Sequence, residues 1–185
     1  MTQTAKLTRM ALLIALTTAA TMAIRIPVPR TGGYINLGDS IVYVSALLFG
    51  PLYGLVAGGI GSALADFLGG YPMFAPFTLV IKGLEGLIVG AVGWRVMRRA
   101  VPLSWTDTVL VILSIVIGGA WMIAGYFVSE AYLLHLGVGA AASEVPGNIA
   151  QALGGLIVAV PISLALRRIA GQTPRLSGGT PLGPT

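Results

Sequence analysis

PFTLVIKGLEGLIVG, residues Pro76–Gly90, is an apolar run of membrane-helix character that carries two charges, Lys82 and Glu85. Their spacing of three puts both side chains on one helical face, close enough to pair. A charge inside a bilayer costs at least about 2.5 kcal/mol, so such groups face a bundle interior or a wet cavity. Gly83, Gly86, Gly90 and Gly93 leave room for neighbouring helices to approach closely. The stretch therefore predicts a membrane bundle whose polar pocket is lined from this helix. The simpler alternative is a Lys82–Glu85 ion pair that only holds the helix in register.

Composition agrees with a membrane setting. Of 185 residues, 56% are hydrophobic and 9% charged, and the mean hydropathy is +0.90. A soluble domain has about 25% charged residues, so the chain reads as an integral membrane protein. At about 20 residues per span, the length allows five or six helices and leaves no room beside them for a soluble catalytic domain. The net charge of +5 points to membrane orientation before nucleic acid. With no cysteine, disulfides, zinc–thiolate sites and thiol catalysis are excluded. A single histidine, His135, argues against a histidine metal cluster, and no cofactor is expected.

Outward from the deciding stretch, the chain divides into six apolar runs, and we expect one domain over residues 1–170. The first run, Thr4–Ile24, has Lys6 and Arg9 near its start and the row Ala11, Ala15, Ala19 along one face, suited to close helix packing. Its basic start and small residues also resemble a signal peptide, a reading set aside because the rest of the chain is membrane-embedded. Arg25–Gly38 reads as a loop, with two prolines, a glycine pair and no helical period. Asp39 stands where an N-cap belongs, before a short second span, Ile41–Phe49. The third span, about Leu52–Leu68, places Gly50, Gly54, Gly58, Ser62 and Asp66 at intervals of four. The fourth is the opening stretch extended to about Met97. The fifth runs from Asp107, read as a cap, to Leu134, and the sixth from about Glu144 to Leu166, where Pro161 is placed to kink it. Residues 171–185, rich in Pro, Gly, Ser and Thr, are expected to form a disordered tail.

Six spans put both termini on one side, together with Lys6, Arg9, Arg95, Arg98, Arg99, Arg167, Arg168 and Arg175, against Arg25 and Arg30 on the other. The positive-inside rule makes the first side cytoplasmic. On that map Asp39, Asp66, Lys82, Glu85, Tyr126, Glu130, Asn148 and Gln151 all fall in the outer half, and the inner half is nearly all Leu, Ile, Val, Ala and Gly. An outward-facing polar pocket accounts for this segregation. Alternatives stay open for single residues. Trp121 suits the pocket or lipid-side packing, and Tyr126 an interfacial belt. Asn148 and Gln151 could bond between helices, Asp39 could serve only as a cap, and Asp66 could brace a loop or Lys82.

Four blocks together resemble a known family: INLGDSIVY (Ile35–Tyr43), FGPLYGLVAGGIGSALADFLGGYP (Phe49–Pro72), APFTLVIKGLEG (Ala75–Gly86) and PGNIAQALGG (Pro146–Gly155). They are similar to the substrate-binding S components of energy-coupling factor transporters, in the riboflavin-type branch that also includes proteins for pyridoxine and hydroxymethylpyrimidine. The resemblance implies a six-helix protein of a prokaryotic plasma membrane that captures a water-soluble vitamin or precursor from outside. It implies as partners a transmembrane coupling subunit, met by Ala11, Ala15 and Ala19, and two cytoplasmic ATPases. It also implies that the loop Arg25–Gly38, with Tyr34 and Asn36, closes over the substrate. No GxxxxGK[ST] phosphate loop occurs in the chain, in keeping with ATP hydrolysis by partners.

The leading expectation is thus a binding subunit, not an enzyme, for a polar ring-containing nutrient. Trp121, Tyr126, Tyr34 or Phe74 would stack on the ring, and Lys82, Glu85, Glu130, Asn148 and Gln151 would hydrogen-bond to it. A self-sufficient proton- or sodium-coupled carrier using Asp66, Glu85 or Glu130 is the alternative; the dry inner half offers it no polar path. An intramembrane enzyme ranks last, since no carboxylate pair, Ser/His pairing or metal spacing is evident in the sequence.

Overall fold

In the computed structural model, which describes residues 2–99 and 103–172, the chain forms helices α1 (Gln3–Ala23), α2 (Gly38–Phe49), α3 (Pro51–Gly69), α4 (Ala75–Met97), α5 (Trp105–Leu133) and α6 (Val138–Gln172). Helices α3 to α6 are long and apolar enough to cross a membrane, with mean hydropathies of 1.4, 1.6, 2.2 and 2.1. At 12 residues, α2 is only about 18 Å long, short of a hydrocarbon core of about 30 Å. It compensates by position. Asp39, Ser40, Val42, Tyr43, Ser45, Ala46 and Leu47 are all buried, so α2 is the central post of the bundle. A core of Val42, Tyr43 and Leu47 meets Val89 and Val96 of α4, Val111 and Ile115 of α5, and Ala159 of α6. Outward faces carry exposed Leu, Ile and Val, such as Val80, Ile117 and Ile157, as lipid contact requires.

The glycines act through interhelical distance. Gly54 of α3 and Gly86 of α4 touch backbone to backbone, and Gly58 and Gly90 do the same against Lys82 and Pro51. Without Cβ atoms the two helices approach until dispersion contacts run along their backbones. A π-helical turn at Ala57–Gly61 interrupts the expected four-residue strip in α3. There Gly61 abuts Thr17 of α1, and Thr18 Oγ1 donates to the Gly61 carbonyl at 2.8 Å.

Four expectations need correction. Arg25–Gly38 is not a plain loop: Arg25–Val28 (β1) and Gly33–Asn36 (β2) form an antiparallel hairpin, with Ile26 opposite Ile35 and Gly32 at φ 72° in the turn. Its four-residue strands are too short to register as alternation, and contacts with distant helices hold them. Asp39 caps nothing; it lies in the first turn of α2, after Leu37, and is engaged elsewhere. The cap of α5 is Ser104, whose Oγ accepts from Asp107 N at 3.2 Å while Asp107 Oδ2 accepts from Ser104 N at 3.0 Å, a capping box. The sixth helix begins at Val138, six residues before Glu144, and runs through Pro146 and Pro161. The expected tail lies almost wholly outside the described residues.

Arginines mark one end of the bundle. Arg167 donates to the Met97 and Arg99 carbonyls at 2.9 and 2.7 Å, Arg99 pairs with Asp107, and Arg9 lies 5.8 Å from the Phe49 ring centre. The hairpin lies at the other end. The glycine contacts generate a prediction. Gly86→Val should lower the thermal stability of the detergent-solubilised protein by about 1–3 kcal/mol through overpacking. Gly154→Ala, where an added Cβ meets open space, should be tolerated. Equal melting temperatures would refute backbone-to-backbone packing of α3 on α4.

Candidate binding site

Beneath the hairpin lies a cavity lined by Gly33, Tyr34 and Asn36 of β2, Asp66 of α3, Phe74 and Thr78, Tyr126 and Glu130 of α5, and Glu144, Asn148 and Gln151 of α6. Its free space, counted with its open mouth, is about 360 Å³. The hairpin covers the site.

Three anchors hold the hairpin down. Tyr34 OH donates to Asp66 Oδ1 at 2.6 Å. The Asn36 N–H donates to Gln151 Oε1 at 2.8 Å, and Arg25 donates to the Gly69 carbonyl at 3.2 Å. Burial, reinforced by the Asp66 carboxylate, pushes the Tyr34 phenol well above its ordinary pKa, so it remains a donor. Tyr34 also packs on Tyr71, with ring centres 4.6 Å apart, and Arg25 lies over both rings.

Below the cavity is a buried ionic cluster. Lys82 pairs with Asp39 of α2 and with Glu85 Oε2 at 3.1 Å; all three residues are at most 2% exposed. Tyr43 OH donates to Glu85 Oε1 at 2.6 Å, and Gln151 Nε2 donates to Asp39 Oδ2 at 3.0 Å. Gln151 therefore joins the cluster to the hairpin, one amide group serving both. The expected Lys82–Glu85 pair exists, with Asp39 as a second partner, and the cluster forms the floor rather than the lining.

Of the residues expected at the site, Tyr34, Asn36, Tyr126, Glu130, Asn148 and Gln151 line the cavity. Tyr126 OH lies 3.0 Å from Thr78 Oγ1, and Lys82 Nζ lies 5.9 Å from the Tyr126 ring centre, linking floor and wall. Lys82 and Glu85 lie underneath. Trp121 lies outside: it is 39% exposed, donates to the Ile81 carbonyl at 3.1 Å and borders an apolar groove between α4 and α5. Asp66 both braces the hairpin and faces the cavity. Sequence reading missed Glu144 and Thr78. Glu144 shares a helical face with Asn148 and Gln151, at spacings of four and three, a signal hidden by starting the helix at Glu144. Among the described residues no group of three or more His, Asp or Glu is arranged to hold a metal.

Known proteins resemble this chain in sequence and in fold. A family model described as ECF-type riboflavin transporter, S component, matches residues 1–168. An uncharacterized protein of Pyrococcus woesei is 45% identical over 154 residues, covering 83% of this chain and 96% of the relative. The thiamine precursor transporter HmpT of Lactococcus lactis is 27% identical over 164 residues, covering 88% of each chain. The solved S component of a bacterial ECF transporter superposes with a TM-score of 0.64 at 18% identity, covering 91% of this chain and 97% of that one.

The ionic floor carries its own prediction. Lys82→Met strands Asp39 and Glu85 without a cation and should cost about 3–5 kcal/mol of stability. Adding Asp39→Asn and Glu85→Gln should restore most of it, because neutralised clusters no longer bear buried charge. Thermal unfolding in detergent measures both. A single variant as stable as the parent would show that the cluster constrains nothing.

Proposed function

The chain belongs to the S component family of ECF-type riboflavin transporters, and from that premise we propose that it captures a water-soluble vitamin or vitamin precursor from outside the cell in the cavity beneath the hairpin. The observation that carries this reading is the cavity itself, polar groups from five elements gathered at the end opposite Arg9, Arg99 and Arg167. By the positive-inside rule the arginine end, with both termini, is cytoplasmic, so the cavity faces outward in the plasma membrane of a prokaryote. The riboflavin description of the family and the thiamine-precursor name of HmpT both belong to ring-containing nutrients. Phe74 and Tyr126 offer ring faces, and Asn148 with Thr78 offers directional hydrogen bonds.

Opening is within reach of binding energy. Three side-chain anchors hold the hairpin at roughly 1 kcal/mol each, so a ligand that replaces them can shift it. Hand-over involves α1. Its packed face is Leu13, Thr17 and Thr21, leaving Ala11, Ala15 and Ala19 exposed as a smooth strip. A helix of a coupling subunit can lie on that strip, with two ATPases supplying the energy. A self-sufficient carrier is not favoured, since the family whose model matches residues 1–168 is that of ECF S components.

Two measurements test this. Mass spectrometry of the purified protein should find a bound heterocyclic nutrient, and proteoliposomes holding this chain alone should bind it without accumulating it under a proton or sodium gradient. Gradient-driven accumulation would overturn the reading. Ala15→Leu should abolish uptake in cells that contain the coupling subunit and ATPases, yet leave binding in detergent within about twofold, roughly 0.4 kcal/mol. Equal loss of binding would put the alanine strip inside the bundle's own packing.

A further inference from the structure

At the arginine end an apolar groove runs between three helices, lined by Leu48 and Phe49 of α2, Met97 of α4 and Leu166 of α6. Its free space, counted with its open mouth, is about 740 Å³, and Arg98 and Arg167 stand in its wall. The two arginines differ in their partners. Arg167 donates to the Met97 and Arg99 carbonyls, and Arg99 in turn pairs with Asp107. Arg98 is exposed at the end of α4, its guanidinium 4.6 Å from the Trp94 ring centre. It pairs with no carboxylate among the described residues. Trp94 is wedged at the corner between α2 and α3, where a Cβ at Gly50 would stand 3.1 Å from its ring. Contact with a ring takes the face of a guanidinium and leaves its N–H edge for an oxyanion. Among the described residues Asp107 is the one acid at this end, against Lys6, Arg9 and the arginines that close α4 and α6.

We propose that this groove seats one acyl chain of an anionic phospholipid, whose phosphate lies on Arg98. The orientation given above puts that lipid in the cytoplasmic leaflet, and the proposal is independent of what the outer cavity takes. Depth supports it. Ile162 and Leu166 stand exposed on one face of α6, so the groove lies in the band that meets lipid. Trp94 and the arginines mark the level of the headgroups. The acyl chain needs only dispersion contact with Leu48, Phe49 and Met97. A guanidinium grips a phosphate through two parallel N–H···O bonds, and basic pockets at the cytoplasmic ends of membrane helices take anionic headgroups. A zwitterionic headgroup brings its own cation, which the surrounding arginines repel. An acidic protein segment would have to carry its carboxylates to the same depth, where an ionised group is costly. A phospholipid is already there.

The test is native mass spectrometry of the detergent-solubilised full chain with equimolar dioleoylphosphatidylglycerol and dioleoylphosphatidylcholine. A single lipid should be retained, the glycerol lipid over the choline lipid by at least about tenfold. Arg98→Gln should bring that preference below about twofold. Should this variant fail to fold, Arg98→Met, which keeps the packed stem, takes its place. Leu166→Trp fills the groove from an exposed position and should weaken retention of both lipids. Inorganic phosphate at the same concentration should not displace the glycerol lipid. Displacement by phosphate would show a headgroup site without a seated chain and overturn the proposal. Equal retention of the two lipids, or an unchanged preference in the Arg98 variants, overturns it too. So does unchanged lipid retention in Leu166→Trp beside lost assembly with the coupling subunit, which would make the groove a protein interface.

Discussion

A lysine ammonium buried at the centre of a membrane bundle is the constraint on which the rest depends. Lys82 cannot remain there without counter-charge, and its partners come from two helices, Asp39 on α2 and Glu85 on its own α4. Tyr43 and Gln151 then take up the outer lone pairs of those carboxylates, bringing in α6. The rotation of three helices about their axes is thereby tied to one cation. The short α2 owes its place to the same cluster, since it does not have the length to be set by the bilayer.

The cluster sits under the cavity, and that placement divides the labour among the polar groups. Those paired with one another, one lysine held between two carboxylates, form the floor. Above them, Glu130 and Glu144 meet each other at the cavity wall. Gln151 belongs to both layers, with its amide nitrogen on the floor and its oxygen on the hairpin. Movement of the hairpin is therefore felt by the floor through a single side chain, while the glycine seam between α3 and α4 keeps the scaffold fixed.

Conversely, the arginine-rich end is built to stay closed. Arg167 ties the end of α6 to the carbonyls at the end of α4, and the Ser104–Asp107 box fixes the start of α5 nearby. Carbonyl groups at helix C-termini lack intrahelical donors, and a guanidinium satisfies several at once. One end is thus locked by backbone-directed bonds, the other shut by a hairpin with three side-chain anchors.

Several features were legible in the sequence because they are local. Helical spacing brings Lys82 and Glu85 together at any helix rotation, apolar runs of sufficient length declare α3 to α6, and glycines at intervals of four announce a smooth face. The clustering of costly polar groups toward one end was equally readable, since it needs only the order of spans. What the tertiary structure decided is how each helix is turned about its own axis. That rotation makes Asp39 the counter-ion of a lysine 43 residues away, sends Trp121 to the lipid side and brings Glu144 into the wall with Glu130. It also turns Arg25–Asn36 into a hairpin, whose four-residue strands depend on anchors at Asp66, Gly69 and Gln151. Periodicity along a chain fixes which residues share a face. Only packing against the other helices fixes where that face points.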